Sequence, residues 1–520
     1  MKRVPSYVEG RWHTAGSGFV PLVDPCTEKT IAEVSSAGID FGGALQFARA
    51  QGGAALRELS IAGRAGLLEQ MSKALYESRA ELIELSLTNT GATRRDAKFD
   101  IDGAIYALAH YAELGKSIGE RHCFVDGEGV QLGRSPRYWG QHLQLPLAGA
   151  AVHVNAFNFP AWGIAEKAAC AILAGMPVIA KPATSSALVA ARCVEAIVET
   201  GILPDGVLSM ICGSTGDLLE HLGPQDVLAF TGSAATALKL RGMRRLLESS
   251  TRVNVEADSL NAVVLGADVE TGSETWDVFV RDVVREITQK TGQKCTAARR
   301  VLVPRRRLET VREQLVERLG AVVVGNPRDD SVAMGPLATA DQLRGAVAGV
   351  AELRRVAGLV HGTGERIDGV GNPAGKGFFF APTLLCAEDG AQPSRIDELE
   401  VFAPVATLLS YDGSPRVAAA AVARGGGSLV TSVYSNDLDF LRAFLAEGGT
   451  ASGRLYIGSE KVAGQLPGSG VVMPQLLHGG PGRAGGGAEL GGLRGLAPYL
   501  QRIAVSGDRT LVERLGGVRD

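Results

Sequence analysis

Cysteine is sparse in this 520-residue chain: Cys26, Cys123, Cys170, Cys193, Cys212, Cys295 and Cys386 make seven. The count is odd and no two stand in a Cys-x-x-Cys spacing, which excludes a disulfide framework and a zinc ribbon together. Reduced thiols in the cytoplasm are the expectation, with no metal. Long apolar runs are missing too, since no stretch reaches the ~18 residues of a membrane span. Lys2 and Arg3 are followed by Pro5 to Gly16 without an apolar segment, so no secretory leader is expected. Charge of one sign is also lacking. With 53 basic and 56 acidic residues the net charge is −3, which argues against nucleic acid or an anionic membrane as partner. The one basic cluster, Arg299-Arg300 with Arg305-Arg306-Arg307, is split by apolar Val301-Leu302-Val303. It reads as a strand end followed by a solvated helix start.

What is abundant is glycine, at 67 residues, within a chain that is 45 % hydrophobic and 21 % charged. Such a composition fits neither a disordered nor a fibrous protein, and the length allows two to four domains with large cores. From residue 150 to 265 short apolar runs alternate with helical stretches, the rhythm of a parallel α/β sheet. Strands are expected at 150–154, 177–180, 207–211 and 227–230, and helices at 162–174, 186–199 and 217–222. Before them lie helical stretches at 64–92 and 101–118. A projecting hairpin is expected over 123–145, its turn at Asp126-Gly127-Glu128-Gly129. After residue 265 a helix at 274–290, a strand at 301–303 and a helix at 308–319 suggest a second α/β domain.

Two glycine-rich matches to nucleotide motifs fail on chemistry. Gly480-Pro481-Gly482-Arg483-Ala484-Gly485 has the G-x-G-x-x-G pattern, but no strand is expected before it and Pro481 has no amide to donate. Gly375-Lys376 is followed by Gly377 where a phosphate-binding loop needs Ser or Thr.

Three segments carry better chemistry. Cys295 lies in the polar loop Thr291-Gly292-Gln293-Lys294-Cys295, beside a lysine that favours thiolate. Glu256 ends the alternating strand Arg252-Val253-Asn254-Val255-Glu256, where a carboxylate faces a cleft and can act as a base. Asn158, in Phe157-Asn158-Phe159-Pro160, sits between a strand and a helix start, placed to donate to an oxyanion.

Together with their surroundings these residues resemble the aldehyde dehydrogenase family through nearly the whole chain. The resemblance runs through Ser6 to Trp12, Asn155 to Pro160, Ala180-Lys181-Pro182-Ala183-Thr184, Phe230-Thr231-Gly232-Ser233, Gly292 to Cys295, Glu400-Val401-Phe402-Ala403-Pro404 and Glu489-Leu490-Gly491. It implies the α/β aldehyde dehydrogenase fold, with a Rossmann-like cofactor domain (1–120, 147–257 and 479–496), an α/β catalytic domain (258–478) and a small β bridging element (121–146 and 497–520) that makes a homodimer. It also implies roles. Cys295 would attack the aldehyde, Asn158 and the Cys295 amide would hold the oxyanion, and Glu256 would activate water against the thioester. Lys167 and Glu489 match positions associated with relaying the proton outward; a surface ion pair is the equal alternative.

Phe157, Lys181, Thr184, Gly213, Phe230, Ser233, Glu400 and Phe402 would bind a nicotinamide dinucleotide. Relatives that take NAD carry an acid three residues after the lysine, whereas Thr184 stands there, so NADP is expected and NAD remains possible. Ala257-Asp258-Ser259 and Ala237 depart from the family's usual glycines and leucine. The segments 155–163 and 478–487 resemble a smaller group that oxidises CoA-thioester semialdehydes in aerobic benzoate and phenylacetate degradation. Phenylacetate members often add a hydratase domain, and this chain ends at Asp520. The benzoyl-CoA branch is therefore expected, with 3,4-dehydroadipyl-CoA semialdehyde as substrate. CoA-acylating oxidation and a non-catalytic structural protein are the alternatives, and Glu256 and Cys295 speak against them. His478 reads as a loop hydrogen-bonder, and the glycines from Gly479 to Gly495 as a small lid or as room for a pantetheine arm.

Overall fold

The computed structural model describes every residue except 388, 389, 391, 463, 464, 466, 467 and 518–520, so the last three residues of the expected bridging element lie outside it. Two seven-stranded sheets form its centre. In the first, parallel strands run in the order Arg252–Glu256, Val227–Thr231, Ala151–Val154, Val178–Lys181 and Leu208–Met210, and the N-terminal strands Ser6–Val8 and Arg11–His13 extend the edge antiparallel. The second sheet orders Gly358–His361, Thr383–Ala387, Val405–Tyr411, Arg300–Pro304, Ala262–Leu265, Ser428–Tyr434 and Ser452–Gly458, all parallel but for the first. Parallel strands need crossovers, and the helices that supply them cover both faces of each sheet with apolar clusters.

The helix that sets the site begins on a neighbour's side chain. Thr93 caps Arg94–Ile118 by accepting from the Asp96 amide, and buried Ala97, Ile101, Ala104, Leu108 and Tyr111 line one face at helical spacing. From that helix Asp100 accepts from the Ala161 and Trp162 amides at 3.3 and 2.9 Å, capping Trp162–Ala174. Gly103 makes the approach possible: a Cβ there would stand 2.1 Å from the Trp162 ring.

Two expectations about elements change. The 64–92 stretch is two helices, Ile61–Glu77 and Arg79–Asn89, broken at Ser78 (φ −89°, ψ 2°), a residue whose side chain competes for backbone partners. The hairpin's turn lies not at 126–129 but at 132–137; strand Phe124–Gln131 runs through the Gly-containing stretch as a bulge and pairs with Tyr138–Pro146. Gly129 serves the cross-strand contact, since a Cβ would lie 2.2 Å from the Trp139 indole nitrogen. Tyr138–Pro146 pairs in turn with Leu500–Asp508, giving a separate three-stranded sheet. The basic cluster is, as expected, a strand end followed by a solvated turn at Arg305–Arg307 that leads into the next helix, and within it Arg299 and Arg300 are buried, Arg299 against Glu400 at 3.3 Å and Arg300 against Asp397 at 2.9 Å. A buried guanidinium needs such a partner.

Candidate active site

Four chain segments converge at the ends of the strands. The loop 155–161 leaves strand Ala151–Val154 with Asn155, Phe157 and Asn158, and Glu256 ends its strand opposite Thr231. The nucleophile loop enters by an unusual backbone: Lys290 and Thr291 both have φ 54°, and Gly292 has φ 64°. Non-glycine residues there are strained and persist only when held. Thr291 Oγ1 donates to Gly335 O at 3.1 Å, and Lys290 Nζ lies 4.5 Å over the Phe159 ring. At Gly292 a Cβ would be 2.3 Å from Ala403 O. Gly292→Ala is therefore expected to cost about 3 kcal/mol in strain and overlap, read as a lowered urea midpoint together with lost Cys295 alkylation. A midpoint and an alkylation rate like the wild type would remove the role given to this backbone.

The fourth segment is the antiparallel pair Leu477–Gly479 and Ala488–Leu490, which sets His478 directly opposite Glu489. A short strand thus does precede the G-x-G-x-x-G match, but it turns back on itself through a 3-10 turn instead of opening a helix. Two of the glycines between them serve a close approach of backbone to backbone. Gly485 and Gly487 lie where a Cβ would be 2.3 and 2.4 Å from Val255 O, and the Gly487 and Ala257 amides donate across to Val255 O and Ala484 O, both at 3.0 Å. Backbone packs on backbone and holds the end of the Glu256 strand. None of residues 479–487 lines either cavity described next.

Two cavities meet at Asn155, Ala156, Asn158, Thr231, Glu256 and Cys295, which line both. The smaller, about 50 Å³, is walled by Phe99, Phe159 and Trp162, whose rings pack edge to face at 5.3 to 5.8 Å, and carries Glu166, Lys167 and His478. The larger, about 480 Å³, is lined among others by Phe157, Phe230, Ser233, Glu400 and Phe402. Phe157 and Phe402 meet edge to face at 5.9 Å, and Arg299 lies 5.4 Å from the Phe402 ring. Lys181, Thr184 and Gly213 fall outside this lining, although their neighbour Ala183 is in it. Lys181 ends its strand opposite Val154, and Gly213 (φ 116°) packs on the Ser36 backbone.

The polar groups form one network. Lys167, 2 % exposed, reaches Glu489 at 3.1 Å and Glu166 at 3.3 Å, so this is a buried cluster and not a surface ion pair. His478 is no loop residue but a buried strand residue, its Nε2 3.3 Å from Glu256 Oε1 and 4.0 Å from Cys295 Sγ. Burial pushes the Glu256 carboxyl up, yet His478 by charge and hydrogen bond, and Lys167 by charge, outweigh it and bring it down to about 2. Glu489 goes the other way, raised by burial and by Glu166 and Glu256 to about 7, against the pull of Lys167. The Cys295 thiol is pushed well above its ordinary value by burial and by Glu256. Lys294, its chain neighbour, pulls the other way by charge while pairing with Glu286 at 2.5 Å.

Several residues here carried no assigned role in the sequence. Asn155 is buried with neither side-chain polar atom bonded, at the junction of the two cavities. Arg299 fixes Glu400, which also accepts from the Ser259 amide at 3.0 Å. Asp258, noted only as a departure, accepts from the Ala234 amide at 2.9 Å and so occupies the start of the helix capped by Ser233. The one sequence signal was position: each lies within a few residues of a strand end.

The large cavity suits a nicotinamide dinucleotide by its own chemistry: the unbonded Asn155 amide, the flanking Phe157 and Phe402 rings, the Glu400 carboxylate and a glycine, Gly232, where a Cβ would strike the Phe230 ring at 2.5 Å. Among the described residues no helix is long and apolar enough to cross a membrane.

A family model described as the aldehyde dehydrogenase family matches residues 12–502. The chain is 43 % identical over 479 residues to the 3,4-dehydroadipyl-CoA semialdehyde dehydrogenase of Aromatoleum evansii, covering 92 % of this chain and 93 % of that one. It is 27 % identical over 403 residues to the NADP(+) D-glyceraldehyde dehydrogenase of Thermoplasma acidophilum, 77 % of each chain. Among solved structures, the lactaldehyde dehydrogenase of Escherichia coli superposes with a TM-score of 0.83 at 24 % identity, over 97 % of this chain and 99 % of that one.

Proposed function

This chain belongs to the aldehyde dehydrogenase family, and from that premise we propose that it oxidises a CoA-linked semialdehyde, 3,4-dehydroadipyl-CoA semialdehyde in benzoate degradation, to the acid with NADP. The observation that carries the chemistry is the meeting of Cys295, Glu256 and Asn158 at the wall shared by the two cavities. The substrate rests on the 43 % identity to the Aromatoleum protein over nearly the whole chain.

Cys295, as thiolate, attacks the carbonyl carbon from the small cavity, and Asn158 donates to the oxygen that takes up the carbonyl electron pair. A nicotinamide dinucleotide in the larger cavity supplies the hydride acceptor. The thioester left on Cys295 is then attacked by water, from which the Glu256 carboxylate takes the proton. Lys167 and Glu489 stand behind Glu256 to pass that proton on, and Glu489 titrates in the neutral range where such a relay needs it. In this reading the small cavity, about 50 Å³, takes the aldehyde end of the substrate.

NADP is favoured because Lys181 and Thr184 put a cation and a neutral residue where an acid would repel a 2′-phosphate; Lys181, Thr184, Gly213, Phe230, Ser233, Glu400, Phe157 and Phe402 are the cofactor residues of this reading. A panel of free and CoA-linked semialdehydes with both cofactors tests it. The CoA-linked substrate with NADP is expected to give a kcat/KM at least about tenfold above the other combinations; equal values for free aldehydes, or for NAD, would defeat that part. The reading includes a cytoplasmic location, in keeping with seven unpaired thiols. It also includes a homodimer joined through the three-stranded sheet, whose outer strands Phe124–Gln131 and Leu500–Asp508 have open edges. Sedimentation at micromolar concentration is expected to give twice the chain mass; a monomer would refute the dimer.

A further inference from the structure

We propose that His478 is a catalytic residue: its Nε2 takes the thiol proton of Cys295, and the imidazolium so formed stands between the thiolate and the Glu256 carboxylate. The inference rests on Cys295 being the nucleophile. Nε2 lies 4.0 Å from Cys295 Sγ and 3.3 Å from Glu256 Oε1, and that carboxylate oxygen is buried with no lysine or arginine paired to it among the described residues. A buried carboxylate oxygen left in this state calls for a cation or a donor. An imidazolium N–H at that spot satisfies it.

The thiol needs the same partner. Its burial and its acidic neighbour both oppose ionisation and outweigh the charge of Lys294, which favours it. Lys294 pairs with Glu286, Lys167 with Glu489 and Glu166, and Arg454 Nη2 donates to the Ser469 carbonyl at 2.9 Å. The groups facing His478 are Glu256 from its strand, Cys295 from the nucleophile loop, Glu489 from the paired strand, and Glu166 and Lys167 from the helix. Three carboxylates against one ammonium stabilise the imidazolium once the neutral ring has taken the thiol proton, and His478 is raised accordingly despite burial, which lowers it.

The step balances without an oxidant. The S–H bond breaks as the Nε2–H bond forms, the thiolate then closes the C–S bond to the carbonyl carbon, and Glu256 stays unprotonated for the later attack of water. Activation of the thiol and activation of the water thus fall to two residues, where one carboxylate would otherwise have to serve both against its own repulsion from the thiolate.

The test is the pH dependence of iodoacetamide alkylation of the cofactor-free protein, the labelled site identified as Cys295 by peptide mass, for wild type, His478→Gln and His478→Phe. At neutral pH both variants are expected to label at least about tenfold more slowly, with the midpoint moved up by about one unit or more, and to reach the wild-type rate at high pH. That shared plateau shows an intact, accessible thiol; His478→Gln carries the test if the aromatic variant fails to fold. The fast phase of cofactor reduction with aldehyde should slow in proportion. An unmoved pH profile in His478→Gln would overturn the proposal even if turnover fell, since a merely structural role would lower turnover alone. Labelling needs no substrate, so a shifted profile in a protein that oxidises no aldehyde would defeat the proposed function and leave the Cys295–His478 pair standing.

Discussion

Replacement of Cys295 by alanine is expected to abolish aldehyde-dependent reduction of the cofactor, by a factor on the order of 10⁴ or more. The reason is covalent. Without Sγ no tetrahedral carbon forms next to Asn158, and an aldehyde is a poor hydride donor until a nucleophile has added to its carbonyl. Cys295 is the one cysteine of the seven that lines both cavities, and five of the others are buried in the packing. Those buried thiols include Cys26, Cys170 and Cys212, each pushed up to about 12, and Cys193, also pushed up, all chiefly by burial and so inert at neutral pH. Progress curves at saturating aldehyde and NADP, with folding checked by circular dichroism, decide it. Full activity in Cys295→Ala would overturn both the nucleophile and the proposed reaction.

Glu256→Gln should separate the two half-reactions. The glutamine keeps the shape of the strand end but accepts no proton from water, so the fast phase of cofactor reduction survives while steady turnover falls by roughly 10²- to 10⁴-fold. The acyl enzyme then accumulates and is visible as added mass on Cys295. Because the folded carboxyl lies below its usual value, wild-type Glu256 is ionised through the neutral range and loses its charge only as pH falls toward about 2. Release of acid from a preformed acyl enzyme should therefore not require protonation or loss of this group between about pH 8 and about pH 5. If the variant instead turned over at the wild-type rate with free CoA, yielding a new CoA thioester, the thioester would be resolved by thiol exchange and the water-activating role of Glu256 would fall.

What was legible before the structure was the local chemistry. Alternating apolar runs mark parallel strands because both faces of such a sheet are covered, and residues at strand ends mark a cleft because strand ends are where loops can carry function. Cys295, Glu256 and Asn158 were found by that logic together with the family resemblance, and the three do line one junction. Glycine was the weaker guide. The glycines from Gly479 to Gly495 were read as a small lid or as room for a ligand, and two of them, Gly485 and Gly487, instead permit two backbones to touch, which depends on a strand more than 220 positions earlier.

Composition and pattern by themselves determined that this chain has no disulfide framework and no long apolar span and that it alternates strand and helix; that one loop thiol works with a strand-end carboxylate and an amide was what the family resemblance implied. The former are properties of spacing along the chain, and they follow from periodicity and side-chain chemistry. The tertiary structure decided which charges meet. Lys167 and Glu489 become a buried pair, Arg299 is turned onto Glu400, Lys294 is drawn off to Glu286, and His478 arrives 183 positions from Cys295 at the side of its sulfur. Electrostatic partnership depends on distance and on exclusion of water, which a sequence states only once it is folded. So cysteine, the residue this chain has little of, matters at one position for its thiol, and what makes that thiol reactive is set by the fold.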